Sequence, residues 1–269
     1  STTIPGEPTF HGSRPAAGGR VASARPGESI GRRGTRLHRM AAATGPPSDP
    51  SPTDEVPELP ASGTHAWYHR EAALAGGRWR VRCLFSDDHG DGEVVTDPVD
   101  TTGVFEIWRA DLDEERRPRL RVDPAAAPGS PAMWFVGLPE FGEPRPAMTL
   151  VGYAHDVVPV GVVVPDATFF SLPVRSRDQV GAIRWWRDEA VVDQVYVGEN
   201  WRRRHVATAL IYAASAYHQL HGWPGRLHSD GRRTSLGEQL VAGIRHPSRI
   251  AVLDELMPPM DPEETPEAR

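Results

Sequence analysis

Apolar and charged positions alternate along much of the chain's middle third. Trp79-Arg80-Val81-Arg82-Cys83-Leu84-Phe85 sets bulky against charged side chains before it breaks at Ser86-Asp87-Asp88, which predicts a strand. Residues 104–109 are a second candidate strand and residues 120–122 and 133–136 shorter ones, with Gly, Pro and Asp clusters between them as turns require. Residues 65–75 read as one short helix. Farther on, residues 150–154, 160–164 (with an extension toward Phe170), 180–186 and 189–197 predict four strands, and Pro165 and Pro173 limit the second. The period then changes. Val206, Leu210, Ala213, Tyr217 and Leu220 recur at three- and four-residue spacing, so a helix follows, with Gly222 as its C-terminal cap and Pro224 beyond. Residues 250–257 read as a last short helix.

No such pattern marks the first sixty residues, of which eighteen are Gly or Pro and few are large and apolar. A segment of that kind buries too little surface to offset its ordering entropy, so residues 1–62 are expected to be a disordered Arg/Pro/Gly-rich tail. Residues 1–39 carry seven arginines against Glu7 and Glu28, and Met40 is a candidate start. The domains expected after the tail are a β-rich region over 63–149, an α/β core over 150–245, and a short helix with an acidic tail over 246–269. No internal repeat is visible.

All 30 basic residues are arginine, which points to a GC-rich genome and removes lysine from every catalytic role. The net charge of -6 argues against a general nucleic-acid binder. Cys83 is the single cysteine, so there is no internal disulfide and no cysteine-rich zinc site; its apolar run makes it a core thiol. No apolar stretch approaches the roughly 20 residues of a membrane span. Arg32-Arg33 is followed by no apolar region, and a cytoplasmic protein is expected.

The most informative segment is Val195-Tyr196-Val197-Gly198-Glu199-Asn200-Trp201-Arg202-Arg203-Arg204-His205-Val206-Ala207-Thr208-Ala209-Leu210-Ile211. It reads as a strand, an arginine turn, and a helix whose first turn is small. Such a junction offers unpaired N–H groups and the positive end of a helix dipole to an anion, with guanidinium groups beside it. A phosphate or pyrophosphate is the natural guest; the plain alternative is an ordinary helix start with a solvated turn.

This junction resembles motif A, V-x-V-x-P-x-x-[RQ]-x-x-G-x-[GA], of the GNAT family of acetyl-CoA-dependent N-acetyltransferases. Val195 and Val197 match the strand valines, Arg202 the Arg/Gln, and Ala207 the last small residue; Glu199 replaces the usual proline and His205 the loop glycine. Residues 225–229 look like the family's next strand and 233–240 like its next helix, for which Ser235 and Glu238 form a candidate capping box and Leu236 and Leu240 the apolar contacts. The likeness covers roughly residues 180–245. The resemblance implies an α/β fold with a GNAT-like mixed, mostly antiparallel sheet, flanking helices and a splayed edge. It also implies acetyl-CoA as cofactor, and a small-molecule or peptide amine as acceptor. Val195, Tyr196 and Val197 would line the pantetheine, and Arg202, Arg203, Arg204, His205, Val206, Ala207 and Thr208 the pyrophosphate. A homodimer is left open. So is a degenerate fold that binds CoA or a protein without turnover. The β-rich start departs from the family's strand and two helices, and its two closing strands are not visible.

Alternation puts Asp193 on the face of Val195 and Val197. It reads two ways, as the general base for the acceptor ammonium or as the partner of a neighbouring arginine; Glu189 and Glu199 are weaker bases. The family's acid is a tyrosine in the helix near Arg233, and none stands there. Ser229 is the nearest hydroxyl, with Thr234 and Tyr196 as others. His218 and His221, three apart on the motif helix, read as a packed or solvated pair rather than metal ligands. Trp185 and Trp186 fall on opposite strand faces, so core packing accounts for at least one of them.

Overall fold

The computed structural model describes residues 65–74, 78–142, 144–242 and 249–257. The tail expected over residues 1–62, and the acidic end from Pro258, lie outside the described residues. Those described all fall in one compact unit of mixed α/β structure, rich in sheet and poor in helix.

Two sheets face each other across one helix. The first holds β1 (Ala66–Leu74), β2 (Arg78–Phe85), β3 (Val94–Val95), β4 (Phe105–Leu112) and β5 (Pro118–Val122) in the order β3-β1-β2-β4-β5. The second holds β6 (Trp134–Glu140), β7 (Ala147–Tyr153), β8 (Val163–Pro165), β9 (Gln179–Trp186), β10 (Val191–Val197) and β11 (His228–Ser229) in the order β11-β10-β9-β7-β6-β8. Pairing is antiparallel except for β1 with β3, β6 with β8, and β10 with β11. The helices are α1 (Asp166–Phe169), α2 (Val206–Leu220) and α3 (Ser235–Ala242); β12 (Arg232–Arg233) and β13 (Glu255–Leu256) make a small parallel pair.

Alternation in the strands decides what points inward. Val81, Cys83, Ala110 and Leu120 of the first sheet and Leu150, Ile183 and Trp185 of the second are buried in one core with α2. That helix packs on β2, β4 and β5 on one side and on β7, β9 and β10 on the other. It is therefore buried nearly all round: beyond the predicted stripe, Ala209, Ala214, Ser215, Ala216, His218 and Gln219 are buried too. Its alanines let both sheets close on it. Gly222, at φ +67, ends the helix as expected, and Arg70 of β1 donates to the Gln219 carbonyl at 3.2 Å. A second cluster, in which Trp134 stacks on Tyr153 at 4.9 Å, includes Val136, Val158, Val162 and Val164.

Several expectations are corrected. The helix expected over residues 65–75 is not formed by its described part: Ala66–Leu74 is a strand, in which Ala66, Trp67, Tyr68 and His69 are all buried and pair with β2. The extension toward Phe170 turns into α1, which begins at Asp166 directly after Pro165; the Asp166 carboxylate accepts the Ala167 N–H at 2.7 Å. The helix expected over 250–257 is irregular chain instead, apart from the two residues of β13. The boundary drawn between 149 and 150 falls inside β7, so the β-rich region and the core share the second sheet. The cap of α3 is Thr234, whose hydroxyl accepts the Gly237 N–H at 3.1 Å, while Glu238 is taken by Arg233. Leu236 is 39% exposed, so that helix has little apolar anchoring.

Candidate functional site

β10 is where the second sheet opens. It pairs with β11 only at Val191↔His228 and Val192↔Ser229. On its other side it pairs with β9, with Val192 opposite Trp185 and Gln194 opposite Arg184, so Asp193 is the extra residue of a bulge. From Asp193 onward, no strand pairs on the β11 side among the described residues. Gly198 donates to the Val180 carbonyl at 2.9 Å, which sets the alternation: Gln194 and Tyr196 turn their backbone groups to β9, whereas Val195 and Val197 turn theirs to the open side. The Val195 and Val197 side chains pack on the core, and Tyr196 is exposed on the opposite face.

The chain then passes through a short 3₁₀ turn, Glu199–Trp201, into the arginine segment. Arg203 (φ 59) and His205 (φ 52) both adopt left-handed backbone. Histidine is among the few side chains met there, which is how His205 fills a position where the resembled motif has glycine. Arg202 is half-buried; Arg203, Arg204 and His205 are exposed, and the Arg204 guanidinium lies 5.0 Å from the Trp201 ring centroid. His205 caps α2 without a side-chain hydrogen bond, and the first-turn N–H groups of Val206, Ala207 and Thr208 have no intrahelical acceptor. Val206 is buried, whereas Ala207 and Thr208 are half-buried. The predicted cofactor residues thus follow one another from the end of β10 to the start of α2, with Tyr196, Arg203, Arg204 and His205 exposed and Val206 buried.

The predicted catalytic residues are placed differently. The bulge turns Asp193 to the face opposite Val195 and Val197, correcting the position that simple alternation assigns it. There the Arg184 Nη1 donates to Asp193 Oδ2 at 2.5 Å, while Arg184 Nε and Nη2 hold Glu140 at 3.0 and 2.9 Å. The arginine holds the Glu140 carboxyl below the usual range, and its guanidinium also stacks on Trp186 at 4.1 Å. Of the two readings of Asp193, the ion pair is the one present, with Oδ1 left over. Glu189 is likewise paired, with Arg145 at 3.0 Å. Ser229 sits beside Val192, and its Oγ accepts from the Ala251 N–H at 3.0 Å and from Arg233 at 3.3 Å.

His218 is fully buried and both its nitrogens are used: Nδ1 accepts from Trp185 Nε1 at 3.2 Å and Nε2 donates to the Pro224 carbonyl at 2.9 Å. Burial lowers its pKa, so it is a neutral core histidine. His221 stacks on Trp223 at 4.8 Å. Cys83 is buried in the core, and burial pushes its thiol up to about 12. No helix among the described residues is long and apolar enough to cross a membrane.

Sequence reasoning did not single out Asp91, Arg226 and Arg249. Asp91 lies 135 residues from Arg226 and 158 from Arg249, and no local pattern announces their contact. No family model matches the chain, and no curated protein or solved structure matches it.

Proposed function

We propose that the chain binds acetyl-CoA at the β10–α2 junction and is an N-acetyltransferase acting on a small-molecule or peptide amine. One observation carries this reading: the strand edge that, among the described residues, has no neighbour beyond Val192 leads through a short turn into an uncapped, arginine-flanked helix start. The N–H groups of Val206, Ala207 and Thr208 would take a pyrophosphate, with Arg203 and Arg204 alongside it. The free backbone groups of Val195 and Val197 would hold an amide-bearing arm as a neighbouring strand does. Bound acetyl-CoA would supply an activated thioester. Asp193, through its free oxygen and an intervening water, would accept the proton the acceptor ammonium must lose. Ser229, with both lone pairs engaged, offers only its own proton, as a donor to a leaving thiolate must. A cytoplasmic location belongs to the same reading.

A second reading, CoA binding without turnover, is favoured by the Asp193–Arg184 pair and by the lack of a tyrosine in α3. Calorimetry with acetyl-CoA, followed by CoA release across an amine and peptide panel, tests both. Acetyl-CoA at 100 times its Kd is expected to stabilise the fold by about 2.7 kcal/mol. Arg203→Ala should weaken that binding. No heat and no shift at saturating acetyl-CoA would remove both readings; binding without CoA release would leave the second.

A further inference from the structure

An amine that is to meet Asp193 has to come from the face of the second sheet turned away from α2. The bulge puts the Asp193 carboxylate there, while Leu150, Ile183, Val195 and Val197 go to the core on the other side. The ladder continues this outer face across three strands. Gln194 lies opposite Arg184, which lies opposite Thr149; Tyr196 lies opposite Ala182, which lies opposite Val151. A polar row and an apolar row thus run side by side from β10 to β7. Farther toward β8, Phe169 and Leu172 pack with Trp134 and Tyr153 on the same face. Near β10 it is uncovered among the described residues: Gln194 and Glu140 are exposed, and Tyr196 is 37% exposed.

The charges at this end do not balance. One guanidinium serves two carboxylates, since Arg184 holds Glu140 through Nε and Nη2 and Asp193 through Nη1. Arg232, whose charge interacts with that of Asp193, is held by Asp230 at 2.8 Å and is paired with Glu255 between β12 and β13. Arg145, on the Trp186 ring, is matched by Glu189. Five carboxylates (Glu140, Glu189, Asp193, Asp230, Glu255) therefore stand against three guanidinium groups (Arg145, Arg184, Arg232), an excess of two negative charges. The adjoining Arg187–Asp188 and Arg233–Glu238 pairs are neutral.

We propose that this face seats the acceptor, and that the acceptor is the amine of a basic peptide lying extended across β9 and β10. The excess charge draws a cationic chain and turns away an acidic one. A sheet face offers an extended chain a long strip of contact, whereas a small molecule is held by enclosure. Basic side chains would stand over Glu140 and Asp193, and apolar ones over Ala182 and Tyr196. The chemistry rests on the acetyl-transfer reading; the peptide seat does not. In the transfer, the peptide ammonium gives one proton to Asp193 through water. Its nitrogen then bonds the acetyl carbon as the C–S bond breaks, and its second surplus proton leaves with CoA as the thiol.

Fluorescence anisotropy of a labelled arginine-rich peptide with a free N-terminus reads binding to the full chain without any turnover. Glutamate-rich and serine-rich peptides of the same length are the comparisons. The arginine-rich peptide is expected to bind at one site per chain, more tightly than the serine-rich one and less tightly as salt rises, and the glutamate-rich peptide not to bind. Glu140→Gln should weaken the arginine-rich peptide about two- to fivefold, as loss of one partly exposed charge does. Tyr196→Ala should weaken it too, and keeps the test decisive if Glu140→Gln does not fold. Glu114→Gln, in the exposed turn between β4 and β5, should leave it unchanged. Equal affinity for the three peptides, no binding of the arginine-rich one, or wild-type affinity in both Glu140→Gln and Tyr196→Ala would overturn the proposal. Release of CoA from acetyl-CoA is followed separately. If the peptide binds as described and no amine releases CoA, the seat stands and the transfer falls; if other amines release CoA and the peptide does not bind, the transfer stands and the seat falls.

Discussion

His218→Leu tests the packing of α2 between its two sheets. The substitution removes the acceptor of the Trp185 Nε1–H and the donor to the Pro224 carbonyl. These two losses differ in cost. Trp185 is fully buried, so its N–H is stranded, which costs about 1–3 kcal/mol. Pro224 is exposed and its carbonyl can turn to water. The expected loss is therefore about 2 kcal/mol, or a fall of about 4–8 °C in Tm for a folded unit of this size. The sign of the pH effect follows from the lowered pKa of His218, which burial sets. Unfolded histidine takes up a proton near about pH 6.5, whereas the buried ring resists it. The neutral ring's contribution is thus full above that pH and is lost as pH falls, by up to about 1.4 kcal/mol per unit, until the folded form also protonates. His218→Leu removes that term, so the gap between wild type and variant should narrow between pH 7.5 and 5.5. Urea unfolding followed by tryptophan fluorescence at both values measures it. Adding Trp185→Phe should recover part of the loss, since neither partner is then left unpaired. If His218→Leu melts with the wild type at pH 7.5, or if the gap stays constant on acidification, the buried hydrogen-bonded pair is not what holds this part of the core.

Gly161 stands at φ +81, and a Cβ there would lie 2.0 Å from the Leu120 carbonyl oxygen. Gly161→Ala should cost about 2–5 kcal/mol from left-handed strain and the clash together, read as a drop in urea midpoint; an unchanged midpoint would mean the approach of this loop to β5 is not so close. Asp193→Asn should cost less than about 1 kcal/mol in stability, because the pair with Arg184 is partly exposed and Glu140 still holds the guanidinium. If acetyl transfer is the activity, the same variant should keep its acetyl-CoA affinity and lose about 10²–10⁴-fold in turnover at neutral pH; unchanged turnover would show that Asp193 is structural only.

Local patterns in the sequence predict most of the strands and the long helix, and they do so where a single period governs a segment. Within Trp79 to Phe85, Val81, Cys83 and Phe85 meet the core while Arg80 and Arg82 between them are charged, although those arginines are taken up by Glu71 and Glu106 rather than by open solvent. The helix of residues 206–220 is predicted from one stripe, yet Ala209, Ala214 and Ala216 are as buried as Leu210. Alanine is a good helix former on any face, so its burial by a second sheet leaves no periodic mark. Residues 65–75 mislead for the same kind of reason: Arg70 and Glu71 are polar for the sake of Gln219 and Arg80, not of solvent. Within the candidate site, the strand edge and the arginine turn are contiguous and therefore legible. The face of Asp193 is not, because alternation assumes an unbroken ladder and one inserted residue reverses it. Asp91, Arg226 and Arg249 are joined only by tertiary structure.

The sandwich around α2 bears on function through rigidity. An uncapped helix start ordinarily frays, and a frayed turn points its N–H groups nowhere in particular. Here the helix begins with Val206, fully buried, and the Gln219 carbonyl at its far end is tied to β1 by Arg70. Both sheets pack along the length between. The first turn is thus aimed by the core rather than by a cap of its own. The two left-handed residues ahead of it, Arg203 and His205, each carry a cost of about 1–2 kcal/mol that an ordinary extended entry would avoid. The same turn leads into a helix start that has no side-chain cap from His205. Local strain of this kind persists only where the surrounding structure over-determines it, and α2, held on two sides and at both ends, is the element able to do so.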